Sequence, residues 1–364
     1  MQTFGIPLRD VANGRDNNFN LIRFCAAIAV LVSHAWPISH GPERIEPLKA
    51  NIGHSLGEMA VYVFFALSGF FIAASYERSN SSISFLTARA ARLFPGLAIS
   101  LILVVLVLGP AVTNLGFVDY FLAPNTASFL FRNLSLLVPQ YTLPGVFTDL
   151  PYPTVEGSIW TLAHEVACYI CVFILGITGV LFSRLSLFIA LIGYFAFCAA
   201  VDVFHPRIEQ FQTLSLPFVL GVILWVWRDW ITLSLPILGM LVLLAWLGRQ
   251  TDLAYPMTVL TLTYGVFWLG YAPSGAIRTF NRLGDYSYGI YIYAFPLQGL
   301  VVWLWGPVGP QLNILLSLPM VLLCAVASWH IIERPALEFA RARVIKPQLP
   351  KREYQSPQHE VDPH

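Results

Sequence analysis

The sequence predicts an all-α protein, a polytopic membrane helix bundle of about ten transmembrane helices with the N-terminus and C-terminus in the cytoplasm. Three observations carry that expectation. The 364-residue chain is 57% hydrophobic and only 11% charged, with a mean hydropathy of +0.66, which lies outside the range of soluble globules. Apolar runs long enough to cross a bilayer recur near 19–38, 55–76, 93–116, 156–180, 185–204, 210–227, 230–248, 253–271, 286–305 and 311–332. Lys and Arg, finally, concentrate in alternate connections between those runs.

Taken in order, residues 1–18 form a cytoplasmic lead-in. The first run is longer than a signal-peptide core, carries Arg23 and lacks a clear small-residue cleavage site, so it is expected to remain as a membrane helix. With the N-terminus inside, the inner segments hold 15 of the 21 Lys and Arg residues and the outer ones 5, with Arg23 in the first span. Prolines interrupt the runs around Pro217, Pro236 and Pro256. Two connections exceed a tight turn. The inner one, 77–92, opens on Ser/Asn turn signals and continues as a basic amphipathic segment, and Pro95 is expected to turn the chain into the third span. The outer one, 117–155, is Pro-rich yet aromatic and apolar in patches, which predicts an ordered extracytoplasmic cap or re-entrant segment. Residues 19–338 thus read as one ten-helix membrane domain. Residues 339–364 read as a cytoplasmic tail, mostly disordered from about 344 onward because it is polar and Pro-rich.

Composition also excludes function classes. A formal net charge of +1 supplies no global field for a nucleic-acid partner. The five Cys all fall in apolar runs, and Cys168-x-x-Cys171 has no His or acidic company, so it reads as small buried hydrophobes and no metal is expected.

Charged or titratable groups inside membrane helices are costly and mark functional sites by default. Arg23 and His34 share the first run. Eleven residues apart, they differ by ~1100° of helix rotation, three turns plus ~20°, so they lie on one face and ~16 Å apart along the axis. An imidazole at that depth is a candidate proton acceptor. Glu165, in the run that enters from the outside, is the second intramembrane ionisable group; at a depth similar to that of His34, it is expected to meet the imidazole and orient it. His164 points about 100° away from Glu165 on a helix. Arg89 and Arg92, three apart on the inner segment, form a candidate phosphate clamp, although basic residues at a membrane surface also contact anionic headgroups.

Other features read as structural. Ser68-Gly69 in the second run suits close helix packing. Glu58 at its outer end faces either a cavity or water. Tyr286, Tyr288, Tyr291 and Tyr293 read mostly as an interfacial aromatic belt. Glu333-Arg334-Pro335 reads as a local ion pair and helix stop.

Arg23 followed by His34 after ten intervening residues, FFALSGFFI, Arg89-x-x-Arg92, the run Trp160-Thr161-Leu162-Ala163-His164-Glu165, LGDYSYGIYIYAFP and a terminal IIERP occur in this order. Together they resemble the acyltransferase-3 family of integral membrane O-acyltransferases, whose members O-acetylate lipopolysaccharide, exopolysaccharide and related glycans. The resemblance covers about residues 18–338. It implies a multi-pass plasma-membrane enzyme, in the inner membrane if the source is bacterial, that moves an acyl group, most simply from acetyl-CoA, to a glycan or lipid-linked sugar on the far side. It assigns Arg23 and His34 to donor binding and catalysis, Arg89 and Arg92 to the donor, and the acid of an S-x-x-x-E motif to Glu165. Thr161 stands where that motif has Ser, and Ala294 where many members have His. The residues alone leave open a transporter, an acyl exporter serving a separate transferase, an acyl-histidine intermediate and a homo-oligomer. Membrane lipids are the only other partners expected.

Overall fold

The computed structural model describes residues 5–44, 46–79, 81–200 and 206–344. Long apolar helices form because only a helix satisfies every backbone amide within one segment. In chain order they are α1 (Phe19–His40), α2 (Leu56–Glu77), α3 (Ser82–Leu103), the short α4 (Phe117–Leu122) and α5 (Pro124–Ser135), and α6 (Trp160–Ile177). Then come α7 (Arg184–Ala200), α8 (Pro206–Val226), α9 (Leu235–Leu247), α10 (Ala254–Tyr271), α11 (Ser287–Trp305), α12 (Pro310–Ser328) and α13 (Arg334–Val344). The only sheet among the described residues is one antiparallel pair, β1 (Ile6–Pro7) with β2 (Thr232–Leu233).

Seven helical stretches among the described residues are long and apolar enough to cross a membrane, against the ten expected. The apolar helices α7 and α9 fall short in length, and α10 occupies the run near 253–271. Two stretches exceed expectation: α3 continues to Val112 as one rod, and α12 continues through α13 to Ala342. Pro95 therefore does not turn the chain; it sits inside α3. Nor does Glu333-Arg334-Pro335 end a helix. In both rods a π-turn precedes a proline: Val104–Leu108 before Pro110, and Trp329–Glu333 before Pro335. Proline lacks the amide proton and its ring crowds the carbonyl four residues back. Widening the turn moves that carbonyl aside, with Gly109 N–H reaching Val104 O and Arg334 N–H reaching Trp329 O. Of the tail expected over 339–364, residues 339–344 continue the last helix, α13, and residues 345–364 lie outside the described residues.

Helices α2 and α11 form the centre and are the most deeply buried of the membrane-length helices among the described residues. α2 packs against α8 and α1, and α11 against α12 and α1. A capping box starts α2: Ser55 Oγ accepts from Glu58 N–H at 3.0 Å, and Glu58 accepts from Ser55 N–H at 2.9 Å. Ser81 caps α3 by a single bond, its Oγ accepting from Ser84 N–H at 3.1 Å, which is what the Ser/Asn turn signals encode. The α9 helix buries no residue, and its Leu243, Leu244 and Trp246 are exposed, as expected where the solvent is lipid.

The 117–155 segment is ordered. Tyr120 donates to Val105 O at 3.0 Å, Asn133 and Gln140 exchange two 2.8 Å bonds, and Asn114 N–H donates to Gly145 O at 2.9 Å.

The backbones of α2 and α8 touch. A Cβ on Gly69 would overlap the Phe218 carbonyl, and one on Gly221 the Ala66 carbonyl. Gly221→Leu is therefore expected to lower stability by at least about 1–3 kcal/mol, read as an earlier melting transition in detergent. Gly193→Ala, on a helix face with open space around it, is expected to leave the transition in place.

Candidate active site

Four elements bring the polar side chains together. The α1 helix carries Arg23 and, three turns on, His34. Arg89 and Arg92 sit on one face of α3. The α6 helix carries Thr161, Glu165 and Tyr169 at intervals of four, so they form a stripe. Tyr288 and Tyr291 project from α11, and Asp285 lies just before it.

Two cavities result. The first, of about 330 Å³, is lined by Arg23, Arg89, Arg92, Arg341, Glu165 and Asp285 among others. Asp285 organises its cations. One carboxylate oxygen lies 2.6 Å from Arg92 Nη2 and 3.5 Å from Arg23 Nη1, and the other accepts from Ser287 Oγ at 2.6 Å. Burial alone would raise the carboxyl pKa, but Arg92, Arg23 and the Ser287 hydrogen bonds outweigh it and hold the group below its ordinary range. Glu333 adds a second counter-charge 3.6 Å from Arg92 Nη1 and accepts from Ser328 Oγ at 2.9 Å. Gly96 permits this approach, since a Cβ there would lie 2.8 Å from the Tyr288 ring and 3.4 Å from Glu333 Cγ. The Arg23 guanidinium also stands 5.1 Å from the centre of the Phe71 ring. Arg89 differs from the other two. Its Nε is buried without a hydrogen-bond partner among the described residues.

The second cavity, of about 420 Å³, is lined by His34, Ser33, Glu58, Tyr62, Trp160 and Glu209 among others. Nδ1 of His34 is buried with no hydrogen-bond partner among the described residues. Its ring stands edge-on to Phe295 at 5.2 Å. Glu58, whose side chain pairs with Lys49 at 2.7 Å, faces this cavity.

The cavities share three lining residues, Val61, Thr161 and Tyr291. Tyr291 OH and Thr161 Oγ1 hydrogen-bond to each other, and both reach the Ser158 carbonyl, at 3.0 and 3.1 Å. The arginine cavity and the histidine cavity therefore adjoin along a wall to which these three side chains belong.

Several expectations change here. Glu165 does not meet His34 in a hydrogen bond among the described residues. It accepts from Ser68 Oγ at 3.1 Å and from Tyr169 OH, on the arginine side. The physical reason is its place on α6: Thr161 forms the wall, and Glu165 lies one turn beyond it. Arg89 and Arg92 share a cavity with Arg23, as a donor clamp requires, but Arg92 is engaged by Asp285 and Glu333. Glu333 makes its ion pair with Arg92, while Arg334 pairs with Glu338 at 2.8 Å. Tyr291 and Tyr293 are buried, and Tyr288 donates to Leu93 O at 2.7 Å from inside the arginine cavity, so these three are not a lipid-facing belt. His164 does point away, with Nδ1 2.8 Å from Trp160 O. Cys168 and Cys171 are free, and no cluster of metal-ligating residues occurs among the described residues.

Sequence reasoning missed Asp285 and Tyr291 as site residues. Both lie within the run LGDYSYGIYIYAFP, where an acid directly before a helix rich in tyrosine was the available signal.

Comparison with known proteins bears on what this arrangement does. A family model described as an acyltransferase domain, acyltransferase 3, matches residues 16–332. An O-acetyl transferase of Shigella phage Sf6 is 28% identical over 337 residues, covering 88% of this chain and 96% of that protein. Nodulation protein 10 of Rhizobium leguminosarum bv. viciae is 26% identical over 382 residues, covering 93% of this chain and 98% of that protein. No solved structure matches.

Proposed function

The chain belongs to the acyltransferase-3 family, and from that premise we propose that it is a plasma-membrane O-acyltransferase. It moves an acyl group, most simply acetyl, from cytoplasmic acyl-CoA to a hydroxyl of a cell-surface glycan or its lipid-linked precursor. In this reading ten helices cross the bilayer and both termini lie inside. The observation that carries it is the pair of adjoining cavities: guanidiniums line one, an imidazole whose Nδ1 has no hydrogen-bond partner among the described residues lines the other, and Val61, Thr161 and Tyr291 line both. Support for an acetyl group comes from the name of the phage relative, an O-acetyl transferase.

The roles follow from position. Arg89, Arg92 and Arg23 form the cationic cavity that receives the phosphates of the donor, with Asp285 fixing the last two. The pantetheine arm then extends toward the shared wall, past Glu165, which positions its thioester end from the Ser68 and Tyr169 side. The acceptor hydroxyl enters the histidine cavity, where Trp160 and Tyr62 line the space for a sugar ring. His34 accepts the hydroxyl proton as the oxygen attacks the thioester carbonyl. The carbon–sulfur bond breaks, and the proton passes to the departing thiolate, so the products are an ester and CoA.

Mass spectrometry of surface glycans tests this reading in cells. Strains carrying the gene are expected to show acylated sugar that is absent from a deletion strain and from one expressing His34→Ala. Unchanged glycan acylation in the deletion would overturn the reading.

A further inference from the structure

The four guanidiniums of the arginine cavity are not equivalent. Arg23 and Arg92 converge on Asp285, and Arg92 also faces Glu333. Arg89 and Arg341 line the same cavity and make no ion pair among the described residues, and Arg89 Nε is buried there without a hydrogen-bond partner. The charge left for a ligand therefore resides on these two rather than on the Arg89–Arg92 pair that the sequence motif suggests.

Arg341 comes from α13, the extension of the last rod, and Leu337 one turn before it lines the same cavity. That places one face of α13 along the cavity wall. The helix packs against α3, which carries Arg89 and Arg92. Glu333 marks the level of Arg92, and Arg341 lies eight residues farther along the rod, ~12 Å toward its C-terminal end. Its side chain is exposed there, whereas Arg89 is half-buried. A polyanion entering would meet Arg341 first and Arg89 next, before reaching the neutralised network.

Resting on the acyl-CoA reading above, we infer that Arg341 acts with Arg89 in binding the phosphate groups of the donor nucleotide. In this division of labour Arg92 and Arg23 form the framework that Asp285 holds in place. Exposed arginines near a membrane also bind lipid phosphate, so the same chemistry has a second source that the experiment must separate.

The test compares wild type, Arg341→Gln and Arg341→Lys in nanodiscs of purely zwitterionic lipid, with acetyl-CoA as donor and adenosine 3′,5′-bisphosphate as competitor. A lost charge-assisted contact corresponds to about a tenfold rise in the KM for acetyl-CoA. Arg341→Gln is expected to show that rise with kcat within about twofold, the inhibition constant of the bisphosphate rising in parallel, and Arg341→Lys recovering part of both. An unchanged KM, or a fall in kcat alone, would overturn the assignment. An effect seen only after anionic lipid is added would assign Arg341 to headgroups instead and overturn it equally. Wild-type protein that transfers acyl groups while ignoring both acetyl-CoA and the bisphosphate would count against the donor reading itself.

Discussion

Replacing His34 with alanine is expected to lower acyl transfer by about 10²–10⁴-fold, the usual contribution of a positioned general base. Acyl-CoA binding should survive the change. The imidazole lines the cavity on the far side of the Thr161–Tyr291 wall from the arginines, so its loss removes proton transfer without touching the cationic pocket. Arg89→Ala should show the opposite pattern, weaker donor binding being its first symptom. Titrating purified variants with a labelled acyl-CoA analogue, alongside single-turnover transfer, separates the two. If His34→Ala lost donor affinity as severely as Arg89→Ala, the division of the site into two cavities would be wrong. The substitution is sterically safe, since it shortens a side chain that packs edge-on against Phe295 and breaks no hydrogen bond at Nδ1.

The second large effect is on stability. Asp285→Ala leaves Arg23 and Arg92 without their shared counter-charge; because these side chains are only partly buried, the cost falls below the about 3–5 kcal/mol of a fully buried pair. Glu333 offsets part of this for Arg92, at 3.6 Å, but not for Arg23. The pH dependence follows from the sign of the carboxyl's shift. Asp285 is held below its ordinary range, so its contribution is fully present above the unfolded value of ~3.9 and disappears only as pH falls through the lower folded value. The melting difference between wild type and Asp285→Asn should therefore persist from about pH 8 down to pH 5 and be lost only in stronger acid. A difference that vanished near neutrality would show that the carboxylate is not the charge holding the arginines.

The sequence made some of this legible and hid the rest for identifiable reasons. Helical periodicity was enough to align Arg23 with His34, because an eleven-residue spacing returns to the same face whatever the surrounding helices do. Three-residue spacing likewise put Arg89 and Arg92 together. The partner of Glu165 was not legible. Depth along a helix says nothing about rotation relative to a neighbour, nor that Glu165 would be taken up by Ser68 and Tyr169 on the arginine side. Asp285 was missed because it lies just outside an apolar run, where a search for charges buried in membrane helices does not look. The two proline signals failed in another way. Pro95 was accommodated inside α3, and Pro335 behind a π-turn, so local stop signals gave way to rods held by tertiary packing. Thr161, conservative beside a serine motif, was legible as a hydroxyl but not as half of a wall.

The most direct measurement of whether the two cavities serve one reaction uses the purified chain alone, reconstituted in proteoliposomes with labelled acetyl-CoA on the Arg341 side and a candidate glycan acceptor on the other. Labelled ester on the glycan, formed in step with released CoA and lost in His34→Ala, is the predicted result. CoA released without acylated sugar, the behaviour of an exporter that hands its cargo to a separate transferase, would contradict it.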